Sequence, residues 1–572
     1  MSNSENNAKL KLNSNRIIVF STVLILSIVA LLSCGGQTRF VPAPELPGDK
    51  NHVPRRPQSK KINVIFDSID KVTAQQLKES LDISRQLRHL SYSPKEAFNI
   101  NAFGEVPNSS WFTNRNAARR MSIEEIVKGP DRGSGPDTTM PWKIIRAKSE
   151  GVTPGFTIED AHGDIYLIKF DPKGYPELAT GAEVISTKLF YAAGYNTPEN
   201  YLTYFHAERL IIGEKVKYID PRGKEHYMTP EDLSELLERV DSLPDGRIRA
   251  LASKYVPGKP IGPFRYESTR KDDPNDFIPH QHRRELRGLY VMAAWLKHTD
   301  TKDGNSLDSY VTENGVSFVR HYLIDFGSTL GSAATGPFKP EAGHVHHADL
   351  KTIFWNSITL GLHVKNWEKN NDYKFNSIGR YRSDTFNPGK FKSNIPNPAF
   401  DLMTDLDGYW GAKLVMSFTD SQLAAVVKLA RYSDPEAEAH LLRILKERRD
   451  KIGKYWFSKV NPLDRFELRI DGTEGQELYF EDLAISTGLE SGNRSSYLYE
   501  IKLNGNAIVD GRIWGEPAAI EIPADAILNN RDQMEIIIRV LRNGRSGKWV
   551  KIYLDYKKTT GLFELVGIKR QS

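Results

Sequence analysis

The sequence predicts an α+β chain that ends in a separate all-β, sandwich-like module. Three observations predict it. From Trp142 onward, three short apolar runs are followed by a long apolar helix pattern and then a fourth run, the texture of a small sheet packed on a helix. Farther on, Leu286, Leu289, Tyr290, Ala293 and Leu296 recur at helical spacing, and later helix signals start at Thr419 and Ser433 and end near Tyr455. After Pro462 the texture becomes short alternating runs separated by Gly, Asn and Asp: Phe466 to Ile470, Tyr497 to Leu503, Met534 to Val540 and Trp549 to Tyr553.

Each element has a local reason. Trp142 to Arg146, Gly155 to Glu159 and Ile165 to Phe170 read as strands, the last two joined at the turn His162-Gly163-Asp164. Glu177 to Ala193 reads as a helix stopped by Gly194, and Asn200 to Phe205 as a strand. An insertion follows with its own helix, opened by Thr229-Pro230-Glu231-Asp232, in which Thr229 caps, Pro230 suits the first helical position and Asp232 reaches back to the cap amide. Leu233, Leu236, Leu237 and Val240 give that helix one apolar face. Leu251 to Val256 reads as a further strand ending at the hinge Pro257-Gly258.

Composition sets the outer limits. With 572 residues, 39% hydrophobic and 26% charged, the chain is long enough for two or three cores and reads as globular. The net charge of +6 comes from 78 basic against 72 acidic residues, without the concentrated stripe that nucleic-acid binding requires, so no nucleic-acid partner is expected. Cys34 is the single cysteine, which excludes an internal disulfide, a Cys-rich zinc site and an iron–sulfur cluster.

Residues 1–16 carry Lys9, Lys11 and Arg16, and the apolar run Ile17 to Leu32 is shorter than a membrane span and suits a signal peptide. The run ends in Leu31-Leu32-Ser33-Cys34-Gly35, which resembles the lipobox of bacterial lipoproteins. That resemblance implies cleavage before Cys34, acylation of Cys34, and a lipid anchor in the bacterial cell envelope, on the outer membrane or facing the periplasm. Residues 1–33 are then signal peptide and 34–61 a Pro- and Gly-rich tether. Residues 62–140 mix short apolar runs with loop chemistry and have no assignable fold of their own.

One set of polar residues stands out in order along the chain. Lys169 lies in the strand Ile165 to Phe170, and Glu183 in the helix that follows. His298-Thr299-Asp300-Thr301-Lys302-Asp303-Gly304-Asn305 follows the long buried helix, and Asp325-Phe326-Gly327 ends the apolar run Tyr322-Leu323-Ile324. Each piece alone has an ordinary explanation, such as a solvated strand lysine or a helix-surface carboxylate. The ordered set resembles the protein-kinase-like superfamily, and within it the divergent bacterial HipA-type and CotH-type kinases. The layout is also similar to that of a family of bacterial lipoproteins.

The resemblance implies a two-lobed fold, with a first lobe over 141–258 including the insertion, a second over 259–461, and the β-module over 462–572. It implies Mg2+ and ATP as cofactors and an unknown protein or small-molecule hydroxyl as acceptor. Lys169 would pair with phosphates and Glu183 would hold it, with Glu177 as the fallback partner. Asp325 and Asn305 would bind metal, Asp300 would accept the acceptor's proton, and Lys302 would neutralise the moving phosphoryl group. The nucleotide-covering loop would involve Ser149, Gly151 and Gly155.

There are departures from the family pattern. G-x-G-x-x-G is absent between the first two strands, the step from Asn305 to Asp325 implies an enlarged hairpin, and no A-P-E follows Gly327. The segment Pro337 to Asp349 instead holds His344-Val345-His346-His347-Ala348-Asp349, which raises the alternative of a metal-dependent hydrolase. A second alternative is a non-catalytic kinase-like binding module, with Trp514, Trp549 and Tyr553 as an aromatic platform.

Overall fold

The computed structural model describes residues 39–60, 95–148, 154–219, 224–347, 358, 367, 372–471, 475–515, 518–523 and 532–572. Cys34, the apolar run before it, Ser149, Gly151 and Asp349 lie outside the described residues. The architecture is α+β, and no described helix is long and apolar enough to cross a membrane.

After a short capped helix α1 (Ile123–Lys128) come β1 (Trp142–Ala147), β2 (Gly155–Glu159) and β3 (Ile165–Lys169), then helix α2 (Leu178–Ala193) and β4 (Asn200–Phe205). The insertion contributes β5 (Leu210–Ile212), β6 (Lys217–Ile219), β7 (Glu225–Tyr227) and α3 (Pro230–Leu237), whose Thr229–Asp232 capping box forms. β8 (Ile248–Lys254) closes a six-stranded sheet of order β4-β8-β3-β2-β1-β5. β8 starts three residues before the expected Leu251 and ends at Lys254, because Ile248 to Ser253 pair with β4 and Lys254 pairs with Tyr166 of β3.

Alternation along β3 divides its side chains between two faces. Tyr166 and Ile168 enter a core with Trp142, Phe156 and the insertion residues Tyr218 and Leu236. Lys169 therefore points to the other face, where Leu251, its register partner on β8, packs in the core built around α2. Nearly every residue of α2 is buried, the charged Glu183 and Lys188 among them. Gly194 caps α2 at φ 129°, and a Cβ there would lie 2.2 Å from the Phe112 ring.

β9 (Lys259–Gly262) leads to α4 (Arg284–Leu296), all 13 residues of which are buried. Its charges are neutralised internally: Arg284 Nε and Arg287 Nη1 reach the two oxygens of Asp407 at 3.0 and 3.2 Å. Asp407 lies on α5 (Asp405–Met416), a helix absent from the sequence-based expectation. Gly408 and Gly411 break its apolar pattern on paper, but in the fold they permit contact: a Cβ on Gly411 would sit 2.8 Å from the Gly288 carbonyl of α4. α6 (Asp420–Lys428) and α7 (Pro435–Phe457) complete the helical body.

The enlarged hairpin between Asn305 and Asp325 is present as β10 (Ser306–Glu313) and β11 (Val316–Leu323), paired over their full length. It turns at Asn314-Gly315, both at positive φ as a tight hairpin turn demands. Two-residue strands β12 (Ser332–Ala333) and β13 (Gly336–Pro337) follow. The C-terminal module holds β14 (Leu463–Asp471), β15 (Gly475–Asp482), β16 (Ser495–Leu503), β17 (Asn506–Trp514), β18 (Ala518–Ile522), β19 (Gln533–Arg542), β20 (Arg545–Lys557) and β21 (Leu562–Arg570). They form sheets β14-β15-β18 and β17-β16-β19-β20-β21, which share one core of Leu478, Phe480, Tyr497, Ile520, Ile536 and Ile552.

Residues 39–60, expected as a tether, are docked on the body. The Phe40 ring stacks on Tyr553 at 4.2 Å, its backbone N–H donates to Gln533 Oε1 at 2.7 Å, and Gln533 Nε2 donates to its carbonyl at 3.0 Å. Asp49 is buried and accepts from the Ser110 N–H and hydroxyl at 2.9 and 2.7 Å. Residues 95–140 also join the main body: Trp111 stacks on His321 at 3.5 Å, and Phe112 packs under Gly194.

Candidate functional site

The site lies where β3, α2 and the ends of the β10–β11 hairpin meet. Lys169 Nζ is 2.7 Å from Glu183 Oε1 and 2.9 Å from Asp325 Oδ1. Glu183 sits on α2 with its side chain 3% exposed, and Asn200 Nδ2 of β4 donates to it at 3.5 Å. Gly327 lies against the same carboxylate: a Cβ there would stand 3.2 Å from Glu183 Oε2 and press on it.

The electrostatics follow from that geometry. The Lys169 ammonium holds Asp325 well below the ordinary carboxylate range, at about 2, against the opposing effect of burial. For Lys169, burial works against the charge, but Asp325 and Glu183 together push its pKa up. Burial pushes Glu183 up, and Lys169 pulls it back. The group is a charged cluster with one cation between two carboxylates, and Asp325 is its exposed member at 53% of its side chain.

Asp325 is held in the left-handed region at φ 62°, a conformation that costs a non-glycine residue energy and persists where the surroundings impose it. The imposition is visible next door. Phe326 is fully buried, stacks on Phe190 of α2 at 4.8 Å and tilts against His298 at 5.8 Å. Burial lowers the His298 pKa, with Asp300 opposing.

The loop from His298 to Asn305 forms a second cluster. Asn305 Nδ2 donates to the Asp300 carbonyl at 2.8 Å and to Asp300 Oδ2 at 2.9 Å, and Lys302 Nζ lies 3.1 Å from the same Oδ2. The Ile324 N–H donates to the Asn305 carbonyl at 3.1 Å, which places the end of this loop beside Asp325. Asn394 N–H and Asn397 Nδ2 brace the loop through the Thr299 and Thr301 carbonyls, at 2.7 and 3.2 Å.

The structure thus brings Lys169, Glu183 and Asp325 into one cluster and Asp300, Lys302 and Asn305 into another beside it. Gly155 stands at the base of the covering loop, where a Cβ would meet the Ile168 carbonyl at 2.6 Å, so close strand pairing demands glycine. Glu177 does not reach Lys169. It occupies the N-cap of α2, and both its carboxylate oxygens accept the Ser433 N–H at 3.0 Å.

Sequence reasoning missed Lys148. It pairs with Gly155 at the mouth of the loop, its N–H donating to the Gly155 carbonyl at 3.1 Å. Burial lowers its pKa, while Asp325 acts in the opposite direction, so its ammonium feels the same cluster as Lys169. The signal was its place as the first residue after β1, with its side chain directed back over Gly155.

The described histidines of this segment do not gather into a metal site. His344 stacks on Trp367 at 5.5 Å, and His346 Nδ1 bonds the Ser393 carbonyl at 2.7 Å. Among the described residues, no group of three His, Cys, Asp or Glu side chains is placed to hold a metal ion. The aromatic platform also fails as a set, since Tyr553 is buried beneath Phe40, whereas Trp514 is 66% exposed.

No protein-family model matches the chain, and no curated protein matches it. Among solved structures, the chain is similar to a Golgi casein kinase, at 11% identity over 73% of this chain and 97% of that one, with a TM-score of 0.27. It is likewise similar to the Golgi casein kinase with Mn/ADP bound, at 10% identity over 72% of this chain and 95% of that one, also with a TM-score of 0.27.

Proposed function

We propose that the chain is a lipid-anchored, exported protein of the bacterial cell envelope, with a two-lobed protein-kinase-like body that transfers a phosphoryl group from Mg2+-ATP to a hydroxyl acceptor. One observation carries the reading: a strand lysine held between a helix carboxylate at 2.7 Å and the carboxylate of Asp-Phe-Gly at 2.9 Å, beside the Asp300–Asn305 loop. The lipobox at Cys34 supports the anchor.

The residues present fit a nucleotide and a hard divalent cation. Asp325 and Asn305 are oxygen donors of the kind Mg2+ prefers, side by side, and Asp325 stays ionised across the physiological range. Bound Mg2+-ATP would supply the phosphoryl group, its metal offsetting phosphate charge. Lys169, kept extended by Glu183, would pair with phosphate oxygens, and Lys148 would add a second cation from the covering-loop side. Asp300 would take the proton of the acceptor hydroxyl as the new O–P bond forms and the bond to the leaving ADP oxygen breaks. Asn305 and Lys302 orient Asp300, and Lys302 offsets charge on the group in transit.

A second reading, a non-catalytic kinase-like binding module, is favoured by Trp514. It lies exposed on the edge strand β17, with the Arg512 guanidinium 3.9 Å from its ring centroid. Thermal unfolding of the full chain with and without ATP and Mg2+, beside Asp325→Ala, separates the readings. Metal-dependent stabilisation of the parent, lost in the variant, with ATP turnover, supports the kinase. Stabilisation without turnover or autophosphorylation supports the binding module, and no stabilisation of the parent refutes the nucleotide site.

A further inference from the structure

Behind the Asp300 loop lies a cavity of about 470 Å3 unconnected with the Lys169 cluster. Among the described residues its lining holds five cations, Lys297, Arg380, Arg382, Lys390 and Arg448, against one carboxylate, Asp384. Arg382 answers Asp384, with Nε donating at 2.9 Å. The innermost cations are satisfied by neutral groups. Arg448, 4% exposed, donates to the Trp295, Arg382 and Ala294 carbonyls at 2.8, 2.5 and 2.5 Å, and its guanidinium lies 3.6 Å from the Phe386 ring centroid. Lys297, 8% exposed, donates to the Arg380 carbonyl at 3.0 Å. Carbonyls satisfy the N–H groups of a buried cation but leave its charge uncompensated, which is costly unless an anion is supplied.

Two further features bear on the cavity. Lys297 ends α4 as its left-handed C-cap at φ 54°, so its ammonium leaves the helix end at the cavity wall. Burial and the neighbouring Arg448, Arg380 and Arg382 together lower the Lys297 pKa to about 7, with Glu341 opposing, as expected of crowded like charges.

We propose that this cavity binds a phosphate-type oxyanion, free or as a monoester of a small organic group, on Lys297, Arg382 and Arg448. The Lys297 ammonium and the guanidinium N–H groups of Arg382 and Arg448 left over from these bonds can donate to oxyanion oxygens, and Trp367 and Phe391 supply apolar wall for an organic portion. Lys297 immediately precedes His298, so the occupant would rest against the base of the Asp300 loop. This inference stands apart from the kinase reading, because it uses none of the residues of that cleft.

The test is calorimetric titration of the full chain at constant ionic strength with inorganic phosphate, O-phosphoserine and serine as probes. Phosphate or O-phosphoserine, but not serine, is expected to bind, and the stronger of the two identifies whether the source is free or esterified. Lys297→Gln and the rim variant Arg382→Gln should each weaken binding by about 10-fold or more, as loss of a charge-assisted partner does. Arg382→Gln keeps the test valid if Lys297→Gln does not fold. No binding of either oxyanion, or binding insensitive to Arg382→Gln, overturns the proposal.

Discussion

Replacing Lys169 by Met should expose the energetics of the charged cluster most directly. The substitution removes the cation 2.7 Å from Glu183, whose side chain is 3% exposed, and leaves that buried carboxylate with a 3.5 Å contact from Asn200 and the more distant Lys148 charge. Breaking a buried ion pair from one side costs about 3–5 kcal/mol. Because Lys169 is 16% exposed and Asp325 is half in solvent, the lower end, about 3 kcal/mol, is expected near neutral pH. The sign of the pH dependence is fixed. Without lysine, burial raises the folded pKa of Glu183 above its unfolded value, so the folded state takes up a proton and the deficit shrinks as pH falls. The Asp325 contribution in the parent belongs to a depressed pKa of about 2, so it is intact across the range compared and is lost only in strong acid. Urea unfolding at about pH 5 and about pH 8 should therefore show the larger parent–variant gap at the higher pH. Lys169→Met combined with Glu183→Gln should recover most of the loss, a coupling of about 2 kcal/mol in a double-mutant cycle. A single-variant loss below about 1 kcal/mol, an equal loss at both pH values, or simple additivity would refute the reasoning.

Other outcomes follow from the same geometry. Gly155→Ala drives a methyl toward the Ile168 carbonyl 2.6 Å away and should cost about 1–3 kcal/mol in the same unfolding assay, with a reduced nucleotide shift. Glu177→Ala removes the acceptor of the Ser433 N–H and should cost about 1–2 kcal/mol while leaving the nucleotide shift intact, unlike Glu183→Ala. Lys297, lowered to about 7 by burial and its arginine neighbours, binds fewer protons folded than unfolded between that value and its ordinary pKa. Stability should thus rise with pH across that window, and Lys297→Met should flatten the slope in thermal unfolding. Lys148→Ala should weaken nucleotide affinity with little change in stability, measured by titration, since its ammonium adds charge from the loop side of the cluster.

The strands around Lys169 were legible because alternation and turn chemistry act locally: Ile165 to Lys169, the Gly163 turn and the Gly194 stop all appear where residue type places them. The order Lys169, Glu183, Asp300, Asn305, Asp325 was legible because each lies at the end or on the face of a recognisable element. Helix α5 was not, because Gly408 and Gly411 earn their place only through the partners Trp456 and Gly288, which sequence spacing does not reveal. Lys148 was hidden for a related reason. It looks like any strand-end lysine until the fold lays it over Gly155. Glu177 and Glu183 were distinguishable only by helix register, settled by the tertiary demand of Ser433.

If the chain is anchored at Cys34 as proposed, the docking of Phe40 beside Tyr553 would set how far it can stand from a bilayer. A chain acylated at Cys34 has only residues 35–38 before Arg39, whose guanidinium pairs with Asp555. Fully extended, that leash spans about 17 Å. The β-module would then ride against the headgroups on the face carrying Tyr553 and Gly567, in a fixed stance and without the sweep of a long flexible linker. Acceptors that this cleft could meet would be those presented at one set height and one orientation above the lipid.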